Sequence, residues 1–370
     1  MVNNSRLAQL PRLGQSVWLD WLSRDLLLSG RLQELIAEHA VSGVTTNPTI
    51  LEHAISTSGA YDDDIDRLLG DGVAAETAFE IIAATDVRLA AEQLSPVWYR
   101  SRGLDGYVSW EVDPRLAWNM NGTVAEVRRL YERVPLPNVL IKIPATEAGI
   151  RAVEEATALG YSINVTLIFS LDRYAAVVEA YLRGLRRAAD AGRDLSTIHS
   201  VASFFISRLD AAADRLLEED GSLDALSLRG HLAIASAKVA YRHFQEAFSG
   251  ARWDELSAYG ATPQRPLWAS TSTKSPGYRD VRYVEQLIGP GTITTVPETT
   301  LLAFEDHGHL ESTLTENVEI AWRTLNELAS LGIDLEALTD ELERRGIDQF
   351  QASHAAVTER IGSNSLARAA

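Results

Sequence analysis

The stretch "NVLIKIPAT", residues 138–146, places one lysine inside an otherwise apolar run. Apolar side chains flank Lys142 on both sides, which is typical of a buried β-strand. Lysine is among the residues least often fully buried in proteins. This stretch therefore predicts a strand of a covered sheet, and it raises the question of why that strand carries an amine.

Seven further β-rich runs recur along the chain, at residues 16–20, 43–47, 106–112, 162–169, 198–205, 265–271 and 291–296. Longer amphipathic patterns lie between them, including 73–94, 122–133, 147–158, 171–191 and 207–219. Alternating strands and helices predict parallel strands joined by helical crossovers. Eight such units predict an α/β fold, namely a (β/α)8 TIM barrel.

The length of 370 residues suits one barrel that carries additional helices. Residues 220–262 predict a helical insertion that holds the helix after the sixth strand and one more. Residues 310–370 predict C-terminal helices that pack outside the barrel or cap one of its ends. No linker rich in Pro, Gly or Ser divides the chain, so residues 1–370 are expected to form a single barrel domain.

Composition narrows the function classes. There is no cysteine, which excludes disulfides and thiolate nucleophiles and fits a reducing cytosol. The net charge of −17 disfavours nucleic acid and anionic membranes as partners, and an anionic substrate would need a local basic cluster. The sequence shows neither a signal-peptide pattern nor an apolar run of about 18 residues, so a cytoplasmic location is expected.

In a (β/α)8 barrel, catalytic side chains lie at the C-terminal ends of the strands and in the loops that follow. The predicted strand ends carry hydroxyls, amides, acids, cations and an aromatic ring: Asp20, Thr45, Asn47, Glu111, Lys142, Asn164, Thr166, Ser203, Phe205, Arg208, Ser270 and Lys274. Histidine is missing from this set, so neither a histidine metal site nor a Ser-His-Asp triad is expected. No nucleotide-binding glycine motif occurs, and no cofactor is expected.

Lys142 has two interpretations on these residues alone. It could be a structural lysine that reaches water at the strand end or pairs with a buried acid. It could also form a Schiff base, since burial disfavours the ammonium form and leaves an amine that attacks a carbonyl. Asp20 and Glu111 would supply the acid–base groups that such chemistry requires, which favours the second interpretation.

Six ordered motifs, "GVTTNPTI", "SWEVDPRLA", "VLIKIPATEAG", "INVTLIFS", "SVASFFISRLD" and "LWASTSTKSP", closely resemble those of transaldolases over about residues 15–310. The last motif looks most like the actinobacterial-type branch. The resemblance implies a class I aldolase-type barrel of the pentose phosphate pathway. Such enzymes move a dihydroxyacetone unit from sedoheptulose 7-phosphate or fructose 6-phosphate to glyceraldehyde 3-phosphate or erythrose 4-phosphate, without metal or cofactor.

The resemblance also implies a role for each matching residue. Lys142 would form the Schiff base, and Asp20 would handle the proton of the cleaved hydroxyl. Glu111 and Thr166 would position the catalytic water and relay protons. Substrate contacts are implied at Asn47, Thr45, Asn164 and Ser203, with Phe205 shaping the pocket.

Phosphate binding departs from the usual pattern of this family. Arg208 matches a phosphate-binding arginine, although it could instead pair with Asp210 or Asp214 on its own helix. Ser270 matches the serine of a family motif in which an arginine follows two residues later, but here a serine occupies that position. Lys274, two residues further on, is expected to supply the missing positive charge. Its ammonium group acts as a point charge, whereas an arginine would bind the phosphate through two parallel hydrogen bonds.

Two other functions stay open at this stage. The chain could be an aldolase that releases free dihydroxyacetone, or a catalytically silent barrel that binds sugar phosphates or a protein. Such aldolases resemble a shorter barrel with a tyrosine in the proton relay, so Glu111 and the length of the chain favour the transferase. The complete set of Lys142, Asp20 and Glu111 argues against a silent barrel. Sugar phosphates are the expected partners, and a homo-oligomer is left open.

Overall fold

A computed structural model of the protein describes residues 5–369, with side chains described through residue 363. Eight parallel strands form a closed barrel in sequence order, which confirms the predicted fold class. The strands are β1 Gln15–Leu19, β2 Val41–Thr45, β3 Tyr107–Glu111, β4 Val139–Pro144, β5 Ile163–Ile168, β6 Ser200–Phe205, β7 Arg265–Ala269 and β8 Thr292–Val296. Every strand end lies within two residues of the predicted one.

Helices cover the outside of the barrel and continue beyond it. They are α1 Arg24–Leu28, α2 Arg31–Glu38, α3 Pro48–Thr57, α4 Asp62–Gly70, α5 Ala75–Ser101, α6 Met120–Arg133, α7 Glu147–Ala158, α8 Leu171–Asp190, α9 Ser207–Asp220, α10 Leu223–Ser227, α11 Leu232–Ala247, α12 Ala251–Ala258, α13 Arg282–Gln286, α14 Glu298–His307, α15 Val318–Ser330 and α16 Leu335–Ala369. The helix that follows β6 is α9, which ends where the predicted insertion begins, and residues 220–262 instead hold the three helices α10, α11 and α12.

Short polar side chains begin the helices close behind the strands. Asn47, Thr146 and Ser170 each accept a hydrogen bond from a backbone N–H of the following helix, at 3.0, 2.8 and 3.1 Å. Such N-caps satisfy amide groups that a helix cannot pair internally. The loops after β2, β4 and β5 are therefore short and fixed, which holds the ends of these strands in place.

A buried polar cluster closes the N-terminal end of the barrel. Arg265 on β7 donates to Ser16 Oγ at 2.6 Å and to the carbonyl oxygens of Thr292 at 2.8 Å and Leu104 at 2.9 Å. Asp105, 3.8 Å from Arg265, accepts from Trp18 Nε1 at 2.7 Å. Because these groups satisfy one another across β1, β7 and β8, the interior is reached from the other end.

Gly43 on β2 leaves room for the largest side chain of this cluster. A Cβ atom at residue 43 would lie 2.5 Å from the ring atoms of Trp18, which is fully buried. Real side chains essentially never approach so closely, so only glycine lets β2 pair beside the indole ring.

The C-terminal region differs in part from the prediction of helix over 310–370. Residues 308–317 are not helical, and α15 begins only at Val318. Lys238 Nζ donates at 2.8 Å to the carbonyl oxygens of both Thr313 and Glu316, which ties this segment to α11. Asn317 then adopts a left-handed conformation, with φ of 56°, at the start of α15. Backbone carbonyls taken by a distant lysine are not visible in a hydropathy pattern.

Helix α16 lies across the C-terminal end of the barrel, one of the two places predicted for the tail. Gln351 Nε2 donates to the Pro114 carbonyl at 3.2 Å, in the loop after β3. Gly346 packs so closely on Leu167 of β5 that an added Cβ would lie 2.9 Å from the leucine Cδ2. The end of the barrel that holds the predicted site is thus covered on one side by this helix.

Within the described residues, no helix has both the length and the apolarity needed to cross a membrane.

Candidate active site

Lys142 and Glu111 face each other inside the barrel on neighbouring strands. The two residues are paired in the register of β3 and β4, so their side chains lie at the same level. Lys142 Nζ is 3.5 Å from Glu111 Oε2, and it donates to the Thr46 carbonyl oxygen at 3.1 Å. Only 4% of the lysine side chain and 2% of the glutamate side chain are exposed. The amine predicted from the sequence is therefore buried beside an acid.

Glu111 has the ionisation behaviour of an acid–base group near neutral pH. Burial raises the pKa of Glu111 to about 7, although Lys142 lowers it, and the negative charge of Asp20 adds to the rise. Neither carboxyl oxygen accepts a hydrogen bond from the described residues. A carboxyl group with this pKa can both give and take a proton near pH 7.

Asp20 is held by a pair of threonines from the two strands beside β1. Thr45 Oγ1 on β2 donates to Asp20 Oδ1 at 2.7 Å, and Thr295 Oγ1 on β8 lies 2.7 Å from Thr45 Oγ1. The backbone N–H of Asp20 also donates to the Val296 carbonyl at 2.8 Å. These contacts fix the carboxylate at the barrel mouth.

A row of hydrogen bonds crosses the interior next to Lys142. Asn164, paired with Lys142 in the register of β4 and β5, donates through Nδ2 to Ser109 Oγ at 2.9 Å. Its Oδ1 accepts from Ser203 Oγ at 2.7 Å. Ser109 was not among the predicted site residues. The alternation of a strand could have indicated it, because Ser109 lies two residues before Glu111 and faces the same side.

Two predicted residues have local roles that the sequence did not reveal. Asn47 uses its side-chain oxygen to cap α3, so its Nδ2 group is the part left for a ligand. Thr166 has a fully buried hydroxyl that makes no hydrogen bond with the described residues. Leu167, the next residue, has φ of 58°, and the β5–β6 register shifts there. A local bulge of this kind redirects side chains at strand ends.

Arg208 and Lys274 bring positive charge to the mouth of the barrel. The Arg208 guanidinium lies over the Phe205 ring, 5.6 Å from its centre. Burial lowers the pKa of Arg208, while the Asp20 charge raises it. Partial desolvation and the nearby Arg208 charge lower the pKa of Lys274, and Asp20 again raises it. Since both cations sense Asp20, they belong to one cluster around the same opening.

The alternative in which Arg208 pairs with an acid of its own helix is wrong. Asp210 accepts from Tyr283 Oη at 2.8 Å, and Asp214 accepts from Tyr278 Oη at 2.6 Å. No ion pair joins Arg208 to a carboxylate in the part of the chain that the structure describes.

Ser270 contacts the start of the helix that carries Arg208. Its hydroxyl lies 3.0 Å from Ser207 Oγ, and its carbonyl accepts from the Ser207 N–H at 3.0 Å. Ser270 also has φ of 55°, an uncommon conformation for a residue other than glycine. The ends of β6 and β7 are thereby joined where the phosphate residues were predicted.

Among residues 5–363, no group of three or more His, Asp or Glu side chains is arranged to hold a metal ion. The arrangement instead offers a buried amine, two carboxyl groups, a row of neutral hydrogen-bonding side chains and two cations at the entrance. These groups can form and hydrolyse an imine, move protons between substrate oxygens and bind an anionic substituent.

Comparison with known proteins gives the same result as the six motifs. The transaldolase/fructose-6-phosphate aldolase family model matches residues 17–361. A transaldolase of Thermobifida fusca is 48% identical over 358 residues, covering 96% of this chain and 97% of that protein. Transaldolases of Thiobacillus denitrificans and Mycobacterium marinum are also 48% identical, over 351 and 352 residues, covering 95% of this chain and 98% and 94% of those proteins. The chain therefore belongs to the transaldolase/fructose-6-phosphate aldolase family.

Proposed function

We propose that this protein is a transaldolase that transfers a dihydroxyacetone unit from a ketose phosphate to an aldose phosphate through a Schiff base on Lys142. The observation that carries the proposal is the buried Lys142 amine 3.5 Å from the Glu111 carboxyl. The names of the relatives support the reaction class. The lack of cysteine fits a reducing cytoplasm as the proposed location.

In the first step, the neutral Lys142 amine attacks the ketone carbon of fructose 6-phosphate or sedoheptulose 7-phosphate. The former ketone oxygen becomes a hydroxyl of the carbinolamine. Glu111 gives a proton to this hydroxyl, which leaves as water, and a positively charged imine forms. The free Thr166 hydroxyl can hold that water beside the carboxyl group.

Carbon–carbon cleavage follows from Asp20. This carboxylate takes the proton of the hydroxyl on the carbon that will become the aldehyde. The electron pair of the broken bond moves to the imine and gives an enamine, while the aldose phosphate departs. No metal is required because the positively charged imine accepts the electrons. The Thr45 hydrogen bond keeps Asp20 in position for this transfer.

The second half of the cycle reverses these steps with glyceraldehyde 3-phosphate or erythrose 4-phosphate. The enamine carbon attacks the aldehyde, and Asp20 returns its proton to the new hydroxyl. Water, activated by Glu111, then adds to the imine, and the amine of Lys142 is released. In this scheme the substrate hydroxyls bind to Asn164 and its serine neighbours.

Phosphate recognition in the proposal belongs to Arg208, Lys274 and Ser270 at the barrel mouth. Arg208 is not neutralised by a carboxylate of its own helix, and within the described residues the Lys274 ammonium has one hydrogen bond, to the Ser272 hydroxyl at 2.9 Å. Both cations are therefore free to bind a phosphate group.

Reductive trapping tests this function. We would mix the protein with fructose 6-phosphate, add borohydride and locate the modified lysine by mass spectrometry. We expect a three-carbon adduct on Lys142, which requires both imine formation and cleavage. Lys238 is a matched control, because it is also buried but donates to backbone carbonyls away from the barrel interior. Lys142→Met should abolish the adduct, and Lys238→Met should not.

An adduct on another lysine, or none on the folded protein, would contradict the proposal. The same samples separate the transferase from the aldolase, both of which occur in this family. A transferase holds the three-carbon unit until an acceptor aldehyde arrives. Steady release of free dihydroxyacetone without an acceptor would identify the aldolase instead.

A further inference from the structure

The loop between β7 and α13 carries two of the proposed phosphate ligands, Ser270 and Lys274. Before Lys274, Thr271 Oγ1 donates to the Thr295 carbonyl of β8 at 2.9 Å, and after Lys274 the loop is held by Tyr278. Tyr278 Oη donates to Asp214 Oδ2 at 2.6 Å. Asp214 lies on α9, is only 7% exposed, and accepts the Gly230 N–H on Oδ1 at 2.7 Å. One buried carboxylate thus joins the loop, helix α9 and the connection before α11.

The surroundings of the Tyr278 ring are shaped to hold it. Gly230 has φ of +71°, and a Cβ at this position would lie 2.8 Å from both Cζ and Oη of Tyr278. Arg282 stacks on the ring at 4.7 Å from its centre and donates to the Gly230 carbonyl at 2.6 Å. The ring is therefore fixed from both sides, and its position depends on the absence of a side chain at Gly230.

This anchor links the two chain segments that carry the cations of the mouth. Asp214 and Arg208 belong to the same helix, whereas Tyr278 follows Lys274 by four residues in the loop. Lysine contacts a phosphate through a single flexible ammonium group, so its contribution depends on where the loop holds it. The Lys274 ammonium makes one hydrogen bond, to Ser272 within the same loop, and no other contact of Lys274 fixes it to the barrel in the described part of the chain.

We propose that Tyr278 is a positioning residue for phosphate recognition: its bond to Asp214 sets the separation of Lys274 from Arg208 so that both cations reach one phosphate group. The inference rests on the proposed function, because it takes the substrates to be phosphorylated. It assigns to Tyr278 no contact with the substrate and no part in the chemistry at Lys142.

The chain offers a closely matched control in Tyr283 and Asp210. Tyr283 Oη donates to Asp210 Oδ2 at 2.8 Å, and Asp210 Oδ1 accepts the Ala233 N–H at 2.7 Å. This pair repeats the chemistry of Tyr278 and Asp214 one turn earlier on α9. However, Tyr283 lies in α13 and not in the loop that carries Lys274. A general loss of packing should affect both pairs, whereas a loss of phosphate positioning should affect only Tyr278.

The test is calorimetric titration with inorganic phosphate of the full-length protein and of Tyr278→Phe and Tyr283→Phe. Phenylalanine keeps the ring and removes only the hydroxyl. We expect phosphate to bind about tenfold more weakly to Tyr278→Phe, the size of one hydrogen bond to a charged group, and within about twofold of the unmodified protein to Tyr283→Phe. Asp214→Asn, probing the same contact from the other partner, should also weaken binding if Tyr278→Phe does not fold.

Kinetics supply the readout that a structural role would not change. In Tyr278→Phe, KM for fructose 6-phosphate should rise about tenfold with little change in kcat, while kcat/KM for unphosphorylated fructose stays the same. Equal losses in both tyrosine variants, unchanged phosphate binding in folded Tyr278→Phe, or no phosphate binding by the unmodified protein would each overturn the inference. If phosphate binds as expected but no adduct forms on Lys142, the proposed function fails while the inference stands.

Discussion

The Lys142–Glu111 pair should control the pH dependence of imine formation. Below about pH 7, the Glu111 carboxyl already holds a proton, so it cannot take one from Lys142 and free the amine for attack on a ketone. As the pH rises through the Glu111 pKa of about 7, this group becomes a carboxylate. The carboxylate can take a proton from the neighbouring lysine, which frees the amine and keeps an acid ready for the departing water. We therefore expect the rate of borohydride-trappable adduct formation to rise with pH and then level off.

The expected magnitude follows from the same pKa. Each pH unit below it reduces the fraction of Glu111 in the carboxylate form about tenfold, so at about pH 5 trapping should be about 100-fold slower than on the plateau. Glu111→Gln removes the proton donor and should lower the plateau by about 10²- to 10⁴-fold. The inflection near pH 7 should disappear in this variant, because glutamine does not titrate.

The assay is single-turnover trapping with fructose 6-phosphate between about pH 5 and 8.5. Glu343→Gln is the control, since burial also raises the pKa of Glu343 to about 7, although Arg173 lowers it, and Asp340 and Glu147 add to the rise. Glu343 lies 3.2 Å from Arg173 and is not among the charges that shift the pKa of Glu111, so its removal should leave the inflection in place. A flat profile in the unmodified protein, or an inflection near pH 7 that persists in Glu111→Gln, would refute the reasoning.

Three further substitutions have defined outcomes. Asp20→Asn should slow transfer by about 10²- to 10⁴-fold. The trapped adduct from fructose 6-phosphate should shift from three carbons to six, because the imine still forms but is not cleaved. Normal turnover would contradict this. Gly43→Ala should cost about 1–3 kcal/mol in urea unfolding, because its Cβ would lie 2.5 Å from the Trp18 ring. Arg265→Met should lower the free energy of unfolding by about 3 kcal/mol, because it removes the cation beside the Asp105 carboxylate. KM should stay unchanged, since this pair lies at the end of the barrel opposite the site. A change in KM alone would be inconsistent with this role.

Much of the barrel was predictable because parallel strands leave a simple signal. Each strand is covered on both faces, so each reads as a short apolar run, and closure brings all eight C-terminal ends together. Lys142 stood out because it interrupts such a run, and Glu111 because it ends another. Their pairing at 3.5 Å then follows from the register of adjacent strands.

The remaining features depend on contacts between distant parts of the chain. Ser109 could have been found from strand alternation, and the capping role of Asn47 from the proline that follows it at the helix start. By contrast, Lys238 binding the carbonyls of residues 313 and 316 has no local signal. The course of α16 over the barrel depends on a close fit between Gly346 and Leu167, and neither residue indicates its partner by itself.

The position of the Asn164 carboxamide has a consequence for stereochemistry. Its nitrogen donates to Ser109 and its oxygen accepts from Ser203, so side chains of β3 and β6 hold the carboxamide from both sides. Any sugar hydroxyl that binds there meets polar groups whose positions are set by three strands of the barrel. Selection between epimers is then a property of the rigid barrel, whereas selection for the anionic end belongs to the loops. Libraries aimed at new sugar configurations should accordingly vary Ser109 and Ser203, and those aimed at uncharged substrates should vary the segment around Lys274.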